Sequence, residues 1–258
     1  MINLNDLITN YPKNLEDKPR AILREYLQCK ILEIIFNSSF HSKLSFLGGT
    51  ALRVIYDNQR FSEDLDFDNF DLSIEEFKEL MKIIVNKLTQ NGYEIEYDVS
   101  DKNAFRGNIK FINLLKNYDL AICDTEKLLI QIDTAPHHFK YSPDLKMLQR
   151  FDILTKINVT PLGLLLSQKI RALVGRHRVL GRDVYDIVFL LSKTKPNYEY
   201  LNDKLDIADS GKLKKELKGF FINIDMAQLQ EDISNFIFDE TDSSKLQEFK
   251  NNIENIEF

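Results

Sequence analysis

The sequence predicts an α+β fold, with strands and helices mixed in its first part and a helical bundle at its C-terminal end. Three observations carry this. Short strand-like runs recur up to about residue 158, stretches with apolar residues at helical spacing flank them, and beyond Thr160 only helical periods continue. A division into 1–158 and 159–258 follows. The chain's 258 residues suffice for one large domain or two unequal ones with a buried core. With 43% hydrophobic and 29% charged residues, and only nine Gly and six Pro, disordered and collagen-like chains are excluded.

Taken in order, Ile22, Leu23, Tyr26, Leu27, Ile31 and Ile35 recur with the period of a helix over 22–35. A strand over 44–47 ends at Gly48-Gly49, which turns the chain, and Thr50 opens a helix whose Leu52, Ile55 and Tyr56 face the core. A strand over 64–68, a helix over 74–88 and strands over 93–99, 105–112 and 127–134 come next. Thr160-Pro161 is a helix start, and helices are predicted again over 183–192, 212–221 and 227–238. The hydrophobics Phe220, Phe221, Phe236, Ile237 and Phe238 are expected in the bundle core or on a partner face.

Net charge is -6, but residues 223–258 carry -7, leaving +1 on the rest. Sequence-independent coating of DNA by the whole surface is therefore not expected. Within this acidic molecule, KIRALVGRHRVLGR (169–182) holds five Lys and Arg and no acid. It reads either as a seat for an anionic ligand or as a solvated helix end whose cations complement the dipole. The start, MINLNDLITNYPKN, lacks a basic segment followed by an apolar one, and apolar runs such as 162–166 fall far short of the roughly 20 residues of a membrane span. No secretory signal, no membrane insertion and a cytoplasmic address are expected. Cys29 and Cys123 have no paired spacing, so two buried free thiols are expected rather than a disulfide or a zinc site.

The chemistry concentrates in FLGGTALRVIYDNQRFSEDLDFD, residues 46–68. Glycines at a strand end before a helix let backbone N–H groups approach a phosphate, the helix dipole favours the anion, and Thr50 adds a hydroxyl. In isolation such a glycine pair is a tight turn. In DLDFD, strand alternation puts Asp64, Asp66 and Asp68 on one face and Leu65 and Phe67 on the other. Like charges there repel unless water, a basic partner or a hard cation compensates, and a divalent cation prefers such oxygen ligands. Glu63 points away from that face and is peripheral. The short path of strand, turn, helix and return strand brings the phosphate seat beside the carboxylates.

Gly48-Gly49 followed by Asp64-Leu65-Asp66 resembles the signature of polymerase-beta-like nucleotidyltransferases, and GGTALR…RFSEDLDF resembles the AbiEii branch of bacterial toxin nucleotidyltransferases. The resemblance implies a mixed sheet flanked by helices, a nucleoside triphosphate (NTP) gripped at Gly48, Gly49 and Thr50, and two Mg2+ ions on Asp64 and Asp66. It also implies a third carboxylate on a neighbouring strand. In KLLIQID, alternation sets Asp133 opposite Leu128, Ile130 and Ile132, which makes it the candidate third metal ligand and proton acceptor. Ser62 is a candidate hydroxyl donor to the nucleotide.

The stretch LLLSQKIRALVGRHRVLGRDVYDIVFLL (164–191) is similar to the AbiEii pattern of a helix lysine, a basic loop and R-D-x-x-D. Lys169 is its candidate catalytic cation, with Arg182, Asp183 and Asp186 as candidate nucleotide-site residues, either aspartate holding Lys169 or Arg182 in place. A snorkelling lysine and helix-dipole acids are the alternatives. The implied activity is transfer of a nucleoside monophosphate from an NTP to an acceptor hydroxyl, a tRNA end among the candidates, by the toxin of a toxin-antitoxin or phage-defence pair with a separately encoded antitoxin. Transfer to a small molecule or a protein, and a non-catalytic RNA- or protein-binding module, are the rival readings.

Overall fold

The computed structural model describes residues 2–102, 104–136, 138–176 and 178–258, and the chain falls into two units: Met1–Asp57 with Phe61–Thr160, and Asn58–Arg60 with Pro161–Phe258. In the first, α1 (Leu4–Ile8) precedes α2 (Pro19–Phe36), which proline opens because its missing N–H would have lacked a helical partner. Next come β1 (Leu44–Leu47), α3 (Gly48–Tyr56), β2 (Leu65–Asn69) and α4 (Ile74–Gln90). A capping box starts α4: Glu76 N–H donates to Ser73 Oγ at 3.2 Å, and Ser73 N–H donates to the Glu76 carboxylate at 2.9 Å. The strands β3 (Ile95–Ser100) and β4 (Phe105–Phe111), a short α5 (Leu114–Asn117), and β5 (Leu128–Pro136), β6 (Asp144–Arg150) and β7 (Ile153–Val159) complete it.

The sheet runs β3-β4-β5-β2-β1-β7-β6 and is mixed: β2 pairs parallel with β5 and β1 with β7, while the remaining neighbours are antiparallel. Helices α2 and α4 pack on one another and on the sheet. A buried ionic knot ties α3 to α2. Glu25 accepts from Arg53 Nε at 2.9 Å, Arg150 Nε at 2.8 Å and the Tyr11 hydroxyl at 2.7 Å, so the arginine of GGTALR serves the core.

In the second unit α6 (Leu162–Gly175), α7 (Gly181–Leu191), α8 (Tyr198–Leu205), α9 (Ser210–Phe221), α10 (Met226–Ser234) and α11 (Ser244–Asn252) are helical, with α6 packed on α7 and α8, and α7 on α10 and α11. The helix expected over 227–238 stops at Ser234. Beyond it Ile237 forms a β-bridge with Arg60, and Phe238 N–H donates to the Gln59 carbonyl at 3.0 Å. Phe221, Ile237 and Phe238 are buried, while Phe220 and Phe236 are half-buried. Both cysteines are free, as expected, but only Cys29 is buried; Cys123 lies on an exposed loop. No helix among the described residues is long and apolar enough to cross a membrane.

Candidate active site

Strand register assembles the site. Arg106 of β4 lies directly opposite Asp133 of β5, Asp133 opposite Asp66 of β2, and Asp66 opposite Leu47 of β1. Residues in register share a face, and neighbouring strands are about 4.8 Å apart, so these side chains form one row across the sheet. The alternation read in 127–134 holds, since Leu128, Ile130 and Ile132 are buried on the face away from Asp133.

At the end of the row the chain passes from Leu47 into α3 through Gly48, which has φ +81°. A Cβ there would fall 2.2 Å from Asp66 Oδ2 and 3.0 Å from Asp66 Cβ and Cγ. The glycine therefore satisfies two demands, a left-handed backbone and room for a carboxylate against the turn. The first N–H groups of α3, at Gly48, Gly49 and Thr50, have no partner within the helix.

Thr50 has a role that spacing did not reveal. Its buried hydroxyl donates to the Asp64 backbone carbonyl at 2.5 Å, so it braces the start of α3 against the chain entering β2. Thr50→Val is expected to lower stability by about 1–2 kcal/mol, with Thr50→Ser recovering most of it, as measured by chemical denaturation. No change on Thr50→Val would remove the brace.

The half-buried Ser62 is fixed through its backbone, because buried Gln28 of α2 donates to the carbonyls of Ser62 at 3.1 Å and Glu63 at 2.8 Å. Glu63, which precedes β2, pairs with Arg24 at 2.6 Å. Asp68 shares the face of Asp66 but is buried: the Tyr141 hydroxyl donates to it at 2.5 Å, and Tyr141 in turn contacts Thr160 Oγ1 at 2.9 Å. Burial and the charge of Asp68 push the Tyr141 hydroxyl pKa well up, so it remains a donor.

Asp133 is the prediction the geometry changes most. Its two oxygens sit in the guanidinium fork of Arg106, at 2.8 Å from Nε and 3.0 Å from Nη2, and Oδ2 also accepts from Gln131 Nε2 at 2.9 Å. In this structure its partner is an arginine. The hydrogen bond and charge of Asp133, then the charges of Asp64 and Asp66, hold the Arg106 pKa above its usual value. Sequence reasoning missed Arg106, whose only signal is FRGNIKF: Arg106, Asn108 and Lys110 form the polar face of a strand whose other face is Gly107, Ile109 and Phe111.

The remaining predicted residues belong to the second unit. Asp186, fully buried, accepts from Arg60 Nε and Nη2, both at 2.7 Å, from Asn58 Nδ2 at 3.0 Å and from Lys169 Nζ at 2.8 Å. Burial pushes its pKa upward, but Arg60 and then Lys169 outweigh this and hold it well below the usual carboxylate range. Asp183 is occupied by Arg176 at 2.7 Å and the Leu180 N–H at 3.3 Å, the position of a helix-start cap. An aspartate therefore does hold Lys169, and it is Asp186; neither holds Arg182, which has no ion pair among the described residues. Of the basic stretch, Arg178 lies 3.8 Å from Asp232, and His177 falls outside the described residues.

A divalent cation suits this donor set in a particular way. No group of three His, Cys, Asp or Glu side chains among the described residues is arranged to hold a metal by itself. Magnesium rarely uses such a cage; it binds through one or two carboxylates and completes its shell with water and substrate phosphates. Asp66 pressed against the Gly48 turn at the start of α3, with Asp64 two residues before it, fits a cation that arrives with its nucleotide.

The comparisons with known proteins give the class, a nucleotidyltransferase. The fold is shared with JHP933 from Helicobacter pylori, at 20% identity over 92% of this chain and 94% of that one, TM-score 0.55. It is shared also with MenT4, a nucleotidyltransferase toxin from Mycobacterium tuberculosis, at 13% identity over 98% and 89% of the two chains, TM-score 0.57. The chain belongs to the AbiEii family: residues 30–255 match the family described as nucleotidyl transferase AbiEii toxin, type IV toxin-antitoxin system. It is a nucleotidyltransferase toxin, with an NTP substrate and an antitoxin as partner. No curated protein matches the sequence.

Proposed function

We propose that this chain transfers a nucleoside monophosphate from a magnesium-bound NTP to the hydroxyl of a tRNA end. The observation that carries this reading is Asp66 lying where a Cβ on Gly48 would be, which joins a phosphate seat to a metal-binding carboxylate. The acceptor oxygen bonds to the α-phosphorus, the bond to the α–β bridging oxygen breaks, and pyrophosphate leaves with that electron pair. Gly48 and Gly49 receive phosphate oxygens on their N–H groups, with Ser62 as a further donor. Asp64, Asp66 and Asp133 would hold two Mg2+ ions, and Asp133 would take the acceptor's proton. When bound, magnesium lowers the acceptor's pKa and neutralises the triphosphate.

Incubation with labelled NTPs, magnesium and total RNA is expected to label tRNA, and Asp64→Ala and Asp66→Ala are each expected to lose both the label and magnesium-dependent NTP binding in calorimetry. Label on a small molecule or protein redirects the acceptor. Unchanged binding and transfer in both variants sinks the carboxylate assignment.

A further inference from the structure

The row Arg106-Asp133-Asp66 alternates charge in the order plus, minus, minus. Two carboxylates on directly adjacent strand positions repel unless a cation compensates. Here Arg106 supplies it, with its fork filled by both oxygens of Asp133. The pairing is accessible: the Arg106 side chain is 50% exposed and that of Asp133 24%. Solvent reaches both partners, so an arriving cation can compete with the guanidinium for the carboxylate. Resting on the reading of this face as a metal–nucleotide site, we infer that Arg106 stands in for a divalent cation at Asp133, beside Asp66, and must leave Asp133 before a metal-bound triphosphate settles there.

Two consequences follow from the chemistry. Before nucleotide arrives, a divalent ion competes with a guanidinium for Asp133 and binds weakly. When nucleotide arrives with its metal, the displaced guanidinium meets phosphate oxygens, which its planar fork fits as well as it fits a carboxylate. Metal binding is thus coupled to nucleotide binding by a residue of the chain itself, and Asp133 becomes available only in the ternary state.

Manganese binding, read from the free-Mn2+ resonance in electron paramagnetic titrations, tests this without any turnover. Without nucleotide, Arg106→Gln is expected to bind Mn2+ at least fivefold more tightly than the unmodified protein, and Arg106→Lys, which keeps the charge but loses the fork, about two- to threefold. With an α,β-methylene triphosphate present, the advantage of Arg106→Gln is expected to vanish or reverse, because the guanidinium then serves the phosphates. Asp66→Asn should remove Mn2+ binding in every background. Unaltered or weaker Mn2+ binding by both Arg106 variants, with Asp66→Asn still abolishing it, overturns the stand-in role and leaves the metal site intact. Absence of Mn2+ binding in all forms, with and without the nucleotide analogue, overturns both this inference and the metal-site reading beneath it.

Discussion

Gly48→Ala is expected to cut nucleotidyl transfer at least 100-fold and to destabilise the protein by about 1–3 kcal/mol. The backbone at Gly48 has φ +81°, where an L side chain is strained by about 1–2 kcal/mol. The added methyl would also fall 2.2 Å from Asp66 Oδ2 and 3.0 Å from Asp66 Cβ and Cγ, so the carboxylate must swing away. A displacement of about 1 Å in a reacting group is enough for a 100-fold loss of rate. Gly92 supplies the control, with φ +86° and nothing within 4 Å of a Cβ. Gly92→Ala meets the same backbone strain without touching the site, so it is expected to lose stability and keep its activity. Denaturation curves and transfer of labelled NTP distinguish the two: equal activity in both variants would mean that the position of Asp66 is not what Gly48 protects.

Local pattern carried the glycine turn into a helix and the strand through Asp66, because glycine before a helix and period-2 alternation are properties of a few consecutive residues. What was not legible depended on register and on distant partners. That Asp133 stands next to Asp66 follows from parallel pairing of β2 with β5 between residues 67 positions apart, and that Arg106 stands next to Asp133 follows from a second pairing. Neither is written in either strand alone. Asp68 obeys the same alternation as Asp66, yet Tyr141 covers it from 73 residues away. The β6–β7 hairpin is not legible strand by strand because Leu145, Met147 and Leu154 are exposed, blurring the inward apolar pattern of Ile153, Ile157 and Val159. In the second unit R-D-x-x-D marked both aspartates, and both are buried, but their partners separate them: Asp183 caps a helix and Asp186 anchors a cation cluster.

Asp186→Ala is expected to destabilise the second unit by about 3–5 kcal/mol, the usual cost of removing one side of a buried ion pair. Arg60, whose side chain is 3% exposed, would lose the acceptor for its Nε and Nη2, and Lys169 would lose its carboxylate as well. Asp186→Asn offers only partial relief. Its oxygen accepts one of these donors, but its NH2 then faces another cationic donor. Lys169→Met, by contrast, leaves Asp186 paired with Arg60 and Asn58, so its cost in stability is expected to be clearly smaller. The sign of the pH dependence follows from the depressed pKa of Asp186. A carboxylate more acidic in the folded state than its ordinary 3.8 contributes its full stabilisation above that value and loses it progressively as pH falls through the folded pKa. Urea denaturation between pH 7 and pH 3 is expected to show the difference between the unmodified protein and Asp186→Ala constant near neutrality and shrinking only at the acid end. A difference that grows on acidification contradicts this account of the Arg60-Asp186-Lys169 cluster.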